Sequence, residues 1–205
     1  RTDMANKSLQ HSSLTDNIFY RSMLAGNDAY FPEFESDDFL EEVVLSSAAS
    51  SVTFTGLGTY ATAGYKNLQI RMVGKTTAYP GFYLIFNSDT GNNYALHRLT
   101  GNGTNTTSAN ITNHDTMIFI NSLPDEAAAT NEFGAAVADI LDYSNIYKNT
   151  TVRMLAGCHY TDYPNIQLHS GLWNNTAAVT SIGILNAQSG NFVAGSRFSL
   201  YGSKA

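Results

Sequence analysis

From Leu40 to the C-terminus, apolar and polar residues alternate with period two in one short run after another, the imprint of strands that turn one face to a core and the other to water. A helix buries a stripe that repeats every 3.6 residues, so a chain patterned this way folds into sheets. Between residues 67 and 73, Leu68, Ile70 and Met72 share a face and Gln69 and Arg71 take the other. Val152, Met154, Ala156 and Cys158 line up in the same way, and near the C-terminus Phe198 and Leu200 alternate with Arg197, Ser199 and Tyr201. Strands are predicted at 41–46, 51–55, 67–73, 81–87, 93–99, 116–121, 135–142, 151–160, 165–173, 180–186 and 196–201. Turn residues that tolerate positive φ separate them, as in Gly56-Leu57-Gly58, 88–92, Gly101 to Asn105 and Ser189-Gly190-Asn191. One helical window, 125–138, reads as a short helix or a loop running into a strand, because Gly134 and Val137 weaken it.

The expected fold is therefore all-β, an antiparallel β-sandwich or jelly roll over residues 43–205, with an irregular N-terminal arm at 1–42. Its expected core includes Leu68, Ile70, Phe86, Val152, Met154, Phe198 and Leu200. The arm has neither period, yet it is rich in aromatics (Phe19, Tyr20, Tyr30, Phe31, Phe34, Phe39), too many for a solvated linker. It either packs on a neighbouring subunit or folds back on its own domain. The run 81–87 is apolar on both faces, which predicts a strand covered on two sides or one at a subunit interface.

Charge narrows the partners. Only 14% of the residues are charged, and the net charge of -6 resides in the arm: residues 43–205 carry eight acids and eight basic residues. Neither part offers the Lys/Arg field that nucleic acid requires, and no polybasic patch or long apolar run suggests a membrane. The single cysteine, Cys158, excludes an internal disulfide and a CxxC pair, and its parity makes it a small core residue.

Candidate chemistry is thin. Asp89, Asn92 and Asn93 around Gly91 could form an oxygen-rich calcium loop, but the same residues make an ordinary hairpin turn. His159, Asp162 and His169 could meet around a zinc ion only if the turn at Tyr163-Pro164 brought them together. Asp139 and Asp142 point to opposite faces of a strand and make no glycosidase pair. No GxSxG, HExxH or P-loop motif occurs. No catalytic residue, metal or cofactor is expected. Six Asn-x-Ser/Thr triplets fit the Asn/Thr-rich composition of turns. Carbohydrate binding needs only exposed aromatic faces flanked by amides, and the best candidates are Trp173 beside Asn174 and Asn175, with His169 nearby and Tyr160 and Tyr163 as a second group. A lone Trp in an alternating strand is more often core or interface.

Five stretches carry a resemblance: Ser51 to Phe54; Tyr65 to Arg71; Phe86 to Ala95 (FNSDTGNNYA); Ser170-Gly171-Leu172-Trp173; and the ending Gly195 to Gly202 (GSRFSLYG). Together they resemble small β-sandwich virion proteins of tailed bacteriophages, marine ones especially, over residues 45–204. The resemblance implies a non-catalytic structural component on the particle surface, as capsid decoration, head fibre or tail fibre. It implies other virion proteins and copies of the same chain as partners, with a homotrimer as the expected assembly and the arm as anchor. The alternatives are a lectin-like module that binds a cell-surface glycan or receptor, and an enzyme of glycan hydrolysis.

Overall fold

The computed structural model describes residues 37–115, 118–120, 123–159 and 164–204. Among them lie β1 (Asp38–Val44), β2 (Ser51–Thr55), a short helix α1 (Gly58–Thr62), β3 (Tyr65–Gly74), β4 (Phe82–Phe86), β5 (Tyr94–Gly101), β6 (Thr106–Asp115), β7 (Ile118–Ile120), β8 (Gly134–Leu141), β9 (Thr150–Cys158), β10 (Asn165–Trp173), β11 (Ser181–Asn186) and β12 (Arg197–Lys204). They form a wide eight-stranded sheet, β1-β12-β3-β8-β9-β10-β5-β6, and a narrow four-stranded one, β2-β11-β4-β7. Every pairing between these strands is antiparallel, so the chain is an all-β sandwich. No helix among the described residues is long and apolar enough to cross a membrane.

The core lies between the sheets. All seven residues expected there are buried, and Leu84, Ile182 and Ile184 join them from the narrow sheet. Burying a side chain of this size stabilises by about 1.5–3 kcal/mol. The sheets approach closely where β10 has no side chain: a Cβ on Gly171 would lie 2.8 Å from Ile118 Cδ1. A larger residue there would push β7 off the wide sheet.

Two elements differ from the sequence reading. Residues 38–42, expected to belong to the arm, form most of edge strand β1, paired with β12; Phe39 stays exposed against Tyr201, with ring centroids 5.7 Å apart. The rest of the arm, 1–36, lies outside the described residues. Strand β6 was not expected, because Thr106 to Asn110 are all exposed and the strand is held by its backbone pairing with β5. Such an edge leaves no hydrophobic alternation to read.

The window 125–138 resolves as a turn running into β8. Asp125 and Glu132 carboxylates accept the backbone N–H groups of Ala127 and Ala129, at 3.0 and 2.9 Å. Lys75, buried at the end of β3, donates its Nζ to the carbonyls of Ala128 and Ala129, both at 2.7 Å, and ties this turn to the sheet. Strand β4 is indeed apolar on both faces. Its second face is partly covered within the chain: Gly183 leaves a gap over which Ile85 and Leu185 fold, since a Cβ there would lie 2.6 and 3.1 Å from them, and Ile85 is buried while Tyr83 is half-buried.

Candidate binding surface

Of the residues singled out for sugar binding, Trp173 and His169 are buried rather than exposed. Trp173 ends β10 on the face turned to the core, only 1% exposed, and its ring sits against Phe86 with centroids 5.7 Å apart. Its indole N–H donates to Asp89 Oδ2 at 2.7 Å. Asp89 also accepts from Asn93 Nδ2 and from the Gly91 N–H, both at 2.9 Å. Burial raises the Asp89 pKa, but these bonds and one from the Asn175 side chain outweigh it and hold the carboxyl below its ordinary value. The proposed calcium loop is thus a knot of N–H donors around one carboxylate, the reverse of a cation site. Asn174 is exposed, but its Oδ1 accepts from Asn149 Nδ2 at 2.8 Å. Tyr160 and Tyr163 lie outside the described residues, as does Asp162 of the zinc set; no cluster of His, Cys, Asp or Glu that could hold a metal occurs among the described residues.

This knot carries a testable effect. Asp89→Ala leaves a buried indole N–H without an acceptor and is expected to cost about 2 kcal/mol in urea unfolding. Because the folded pKa is depressed, the contribution is fully present above the unfolded value of 3.8 and is lost as pH falls through the folded one. The stability difference between wild type and variant should therefore shrink only in that acid range; a difference unchanged at pH 2–3 would contradict the assignment.

His169 also points inward and is 2% exposed. Its Nε2 lies 2.9 Å from Gln167 Oε1, and Nδ1 has no hydrogen-bond partner. Burial, with Arg98 across the strand pair adding to it, pushes its pKa down to about 4, so the imidazole is neutral. Cys158 is buried in the same way, and burial raises its thiol to about 11, which leaves little thiolate.

The inward parity of Gln167, His169 and Trp173 sends the apolar residues of β10 to the outer face of the wide sheet. Register places Leu99 (β5), Leu168 (β10), Leu155 (β9) and Val137 (β8) side by side in one ladder row. They are 48, 49, 52 and 38% exposed. The adjoining row holds Ile166, Gly157, Ala135 and Val73, with Ile166 and Val73 also exposed. On the other side runs a polar row of Asn110, His97, Ser170, Arg153, Asp139 and Gln69. There Asp139 takes an ion pair from Arg153 at 2.9 Å and a hydrogen bond from Gln69 Nε2 at 2.7 Å.

A groove of about 750 Å³ crosses this face from β6 to β8, lined by Leu99, Leu168, Leu141 and Thr151 together with His97, Asn110, Ser170 and Arg153. A smaller hollow of about 290 Å³ lies over Ala135 and Gly157, walled by Val137, Leu155 and Ile166. Monomeric soluble proteins seldom leave so continuous an apolar surface open unless it binds something.

No protein-family model and no curated protein matches the sequence. Among solved structures, galectin LEC-6 of Caenorhabditis elegans is similar at 9% identity and a TM-score of 0.30, covering 80% of this chain and 96% of that one. The alginate lyase Aly36B is similar at 6% identity and a TM-score of 0.24, covering 88% and 90%.

The sequence reading located its candidates by residue type and so missed this surface. Its signal was present: in 165–173 the large aliphatics Ile166, Leu168 and Leu172 all have the parity opposite to His169 and Trp173, so one set or the other had to face outward.

Proposed function

We propose that this chain is a non-catalytic structural module whose outer wide-sheet face docks onto a protein partner, as a surface component of a bacteriophage virion. The observation that carries the docking reading is the row Leu99, Leu168, Leu155, Val137, four aliphatic side chains at least a third exposed on adjacent strands. Burying such a row removes apolar area from water at about 25 cal/mol per Å², the usual driving force of protein association. The virion setting rests on the sequence resemblance over residues 45–204. The test is particle assembly with a chain carrying Leu155→Lys and Leu168→Glu, both on the water-facing side and so compatible with folding. The doubly substituted chain should fold with an unchanged circular dichroism spectrum yet be missing from a mass-spectrometric inventory of purified particles. Its presence at wild-type occupancy would overturn the docking role, and absence of the wild-type chain from particles would overturn the virion setting.

A second reading is favoured by the polar half of the groove. His97, Asn110, Ser170 and Arg153 supply donors and acceptors over an aliphatic floor, which suits a glycan. Oligosaccharide titration by calorimetry tests it: a glycan ligand should lose at least tenfold in affinity on His97→Ala, and absence of heat with any tested glycan would count against it.

A further inference from the structure

We infer that the occupant of the outer face is a second copy of the same chain, packed sheet against sheet about a two-fold axis near Leu155 and Leu168. This rests on the docking reading above and names its partner. The first argument is charge. The arginines on this face are each paired with a carboxylate of their own chain: Arg71 with Asp37 at 2.7 Å, Arg153 with Asp139 at 2.9 Å and Arg197 with Glu42 at 3.7 Å. Among the described residues whose parity is outward, a strongly charged partner, whether nucleic acid, anionic lipid or an acidic or basic protein, finds no unpaired arginine to complement. A second copy meets the same neutral, apolar rows and no like-charge excess.

The second argument is area. Eight strands spaced ~4.8 Å apart, each contributing six or seven residues at ~3.3 Å, give a face of roughly 800 Å². A standard stable interface takes about 800 Å² from each partner. The third is shape. The hollow over Gly157 and Ala135 lies directly beside the protruding Leu155 and Ile166, so each copy presents both a knob and a recess. An isologous two-fold interface needs this self-complementarity, and aligned sheets pack face to face at about 10 Å, crossing by about 30°. A dimer formed this way differs from the homotrimer that the sequence resemblance implies.

Sedimentation velocity on the full chain at micromolar concentration tests the inference, with circular dichroism as the control for folding. Wild type should sediment at twice the chain mass of 22.2 kDa. Leu155→Lys and Leu168→Lys should each weaken association about 100-fold while keeping the β spectrum. Ile146→Lys, at an exposed apolar position in the β8–β9 loop, should leave the dimer intact. A wild-type monomer, a trimer, or a dimer untouched by both face substitutions would overturn the inference. The incorporation assay separates this from the broader reading: a monomer whose entry into particles still depends on Leu155 and Leu168 docks through this face to a different protein. A monomer whose entry is indifferent to them does not dock through it at all.

Discussion

Ile70→Asp is expected to abolish the cooperative unfolding transition at 25 °C. Ile70 sits in the middle of β3, 3% exposed, flanked in its ladder by Ala138 on β8 and Leu200 on β12, with the narrow sheet above. A carboxylate placed there has neither water nor a cation. It must ionise at a cost of several kcal/mol or stay protonated with its hydrogen bonds unmet. Added to the lost aliphatic packing, this is comparable to the whole stability of a domain, about 5–15 kcal/mol. Near- and far-ultraviolet circular dichroism would report the loss directly. A folded variant with a melting temperature within a few degrees of wild type would mean that β3 does not hold the centre of the core.

The next largest effect is expected from pH. The unfolded chain takes up a proton on His169 near 6.5, whereas the folded chain holds the ring neutral until about pH 4. Between these values the unfolded state binds more protons, so acid favours unfolding. His169 alone should lower stability by about 3 kcal/mol as pH falls from 7 to 4, after which its effect levels off because both states are protonated. Urea unfolding across that range should show the slope, and His169→Phe should flatten it. Should the variant retain the wild-type slope, the imidazole would not be buried in the neutral form that the geometry requires.

The period was legible in the sequence; the parity was not. Alternation in 165–173 announced a strand but left open which set faces the core, and the structure buries the polar set. Asn165, Gln167 and His169 go inward while Ile166 and Leu168 face water. Residue type misleads here because polar side chains can be buried when they meet one another, as His169 Nε2 and Gln167 Oε1 do at 2.9 Å. Trp173 followed the same parity, which is why the most visible sugar-binding candidate became a core residue hydrogen-bonded to Asp89. In contrast, Leu68, Ile70, Phe198 and Leu200 lie on strands whose outward partners are Gln69, Arg71, Arg197 and Ser199, so hydrophobicity and parity agree and the core is read correctly. Helix α1 escaped notice for a third reason. Its five residues complete little more than one turn, too short to display a period of 3.6, and Gly56 at φ 69° ahead of it reads as a loop signal.

The binding surface emerges only when register is known. Leu99, Val137, Leu155 and Leu168 are scattered over 70 positions of the sequence, and each alone is an unremarkable surface aliphatic. Pairing of β5, β10, β9 and β8 is what sets them side by side.

Hydroxyl-radical footprinting read by mass spectrometry tests the claim that this face is the binding surface most directly, comparing the dilute chain with the chain in its assembled state. Modification of Leu99, Leu155, Ile166 and Leu168 should fall several-fold on assembly, whereas Ile146 and Tyr147, exposed in the loop after β8, should stay as reactive as before. Unchanged labelling of the four aliphatics in an assembled sample, or protection centred elsewhere on the domain, would contradict the account.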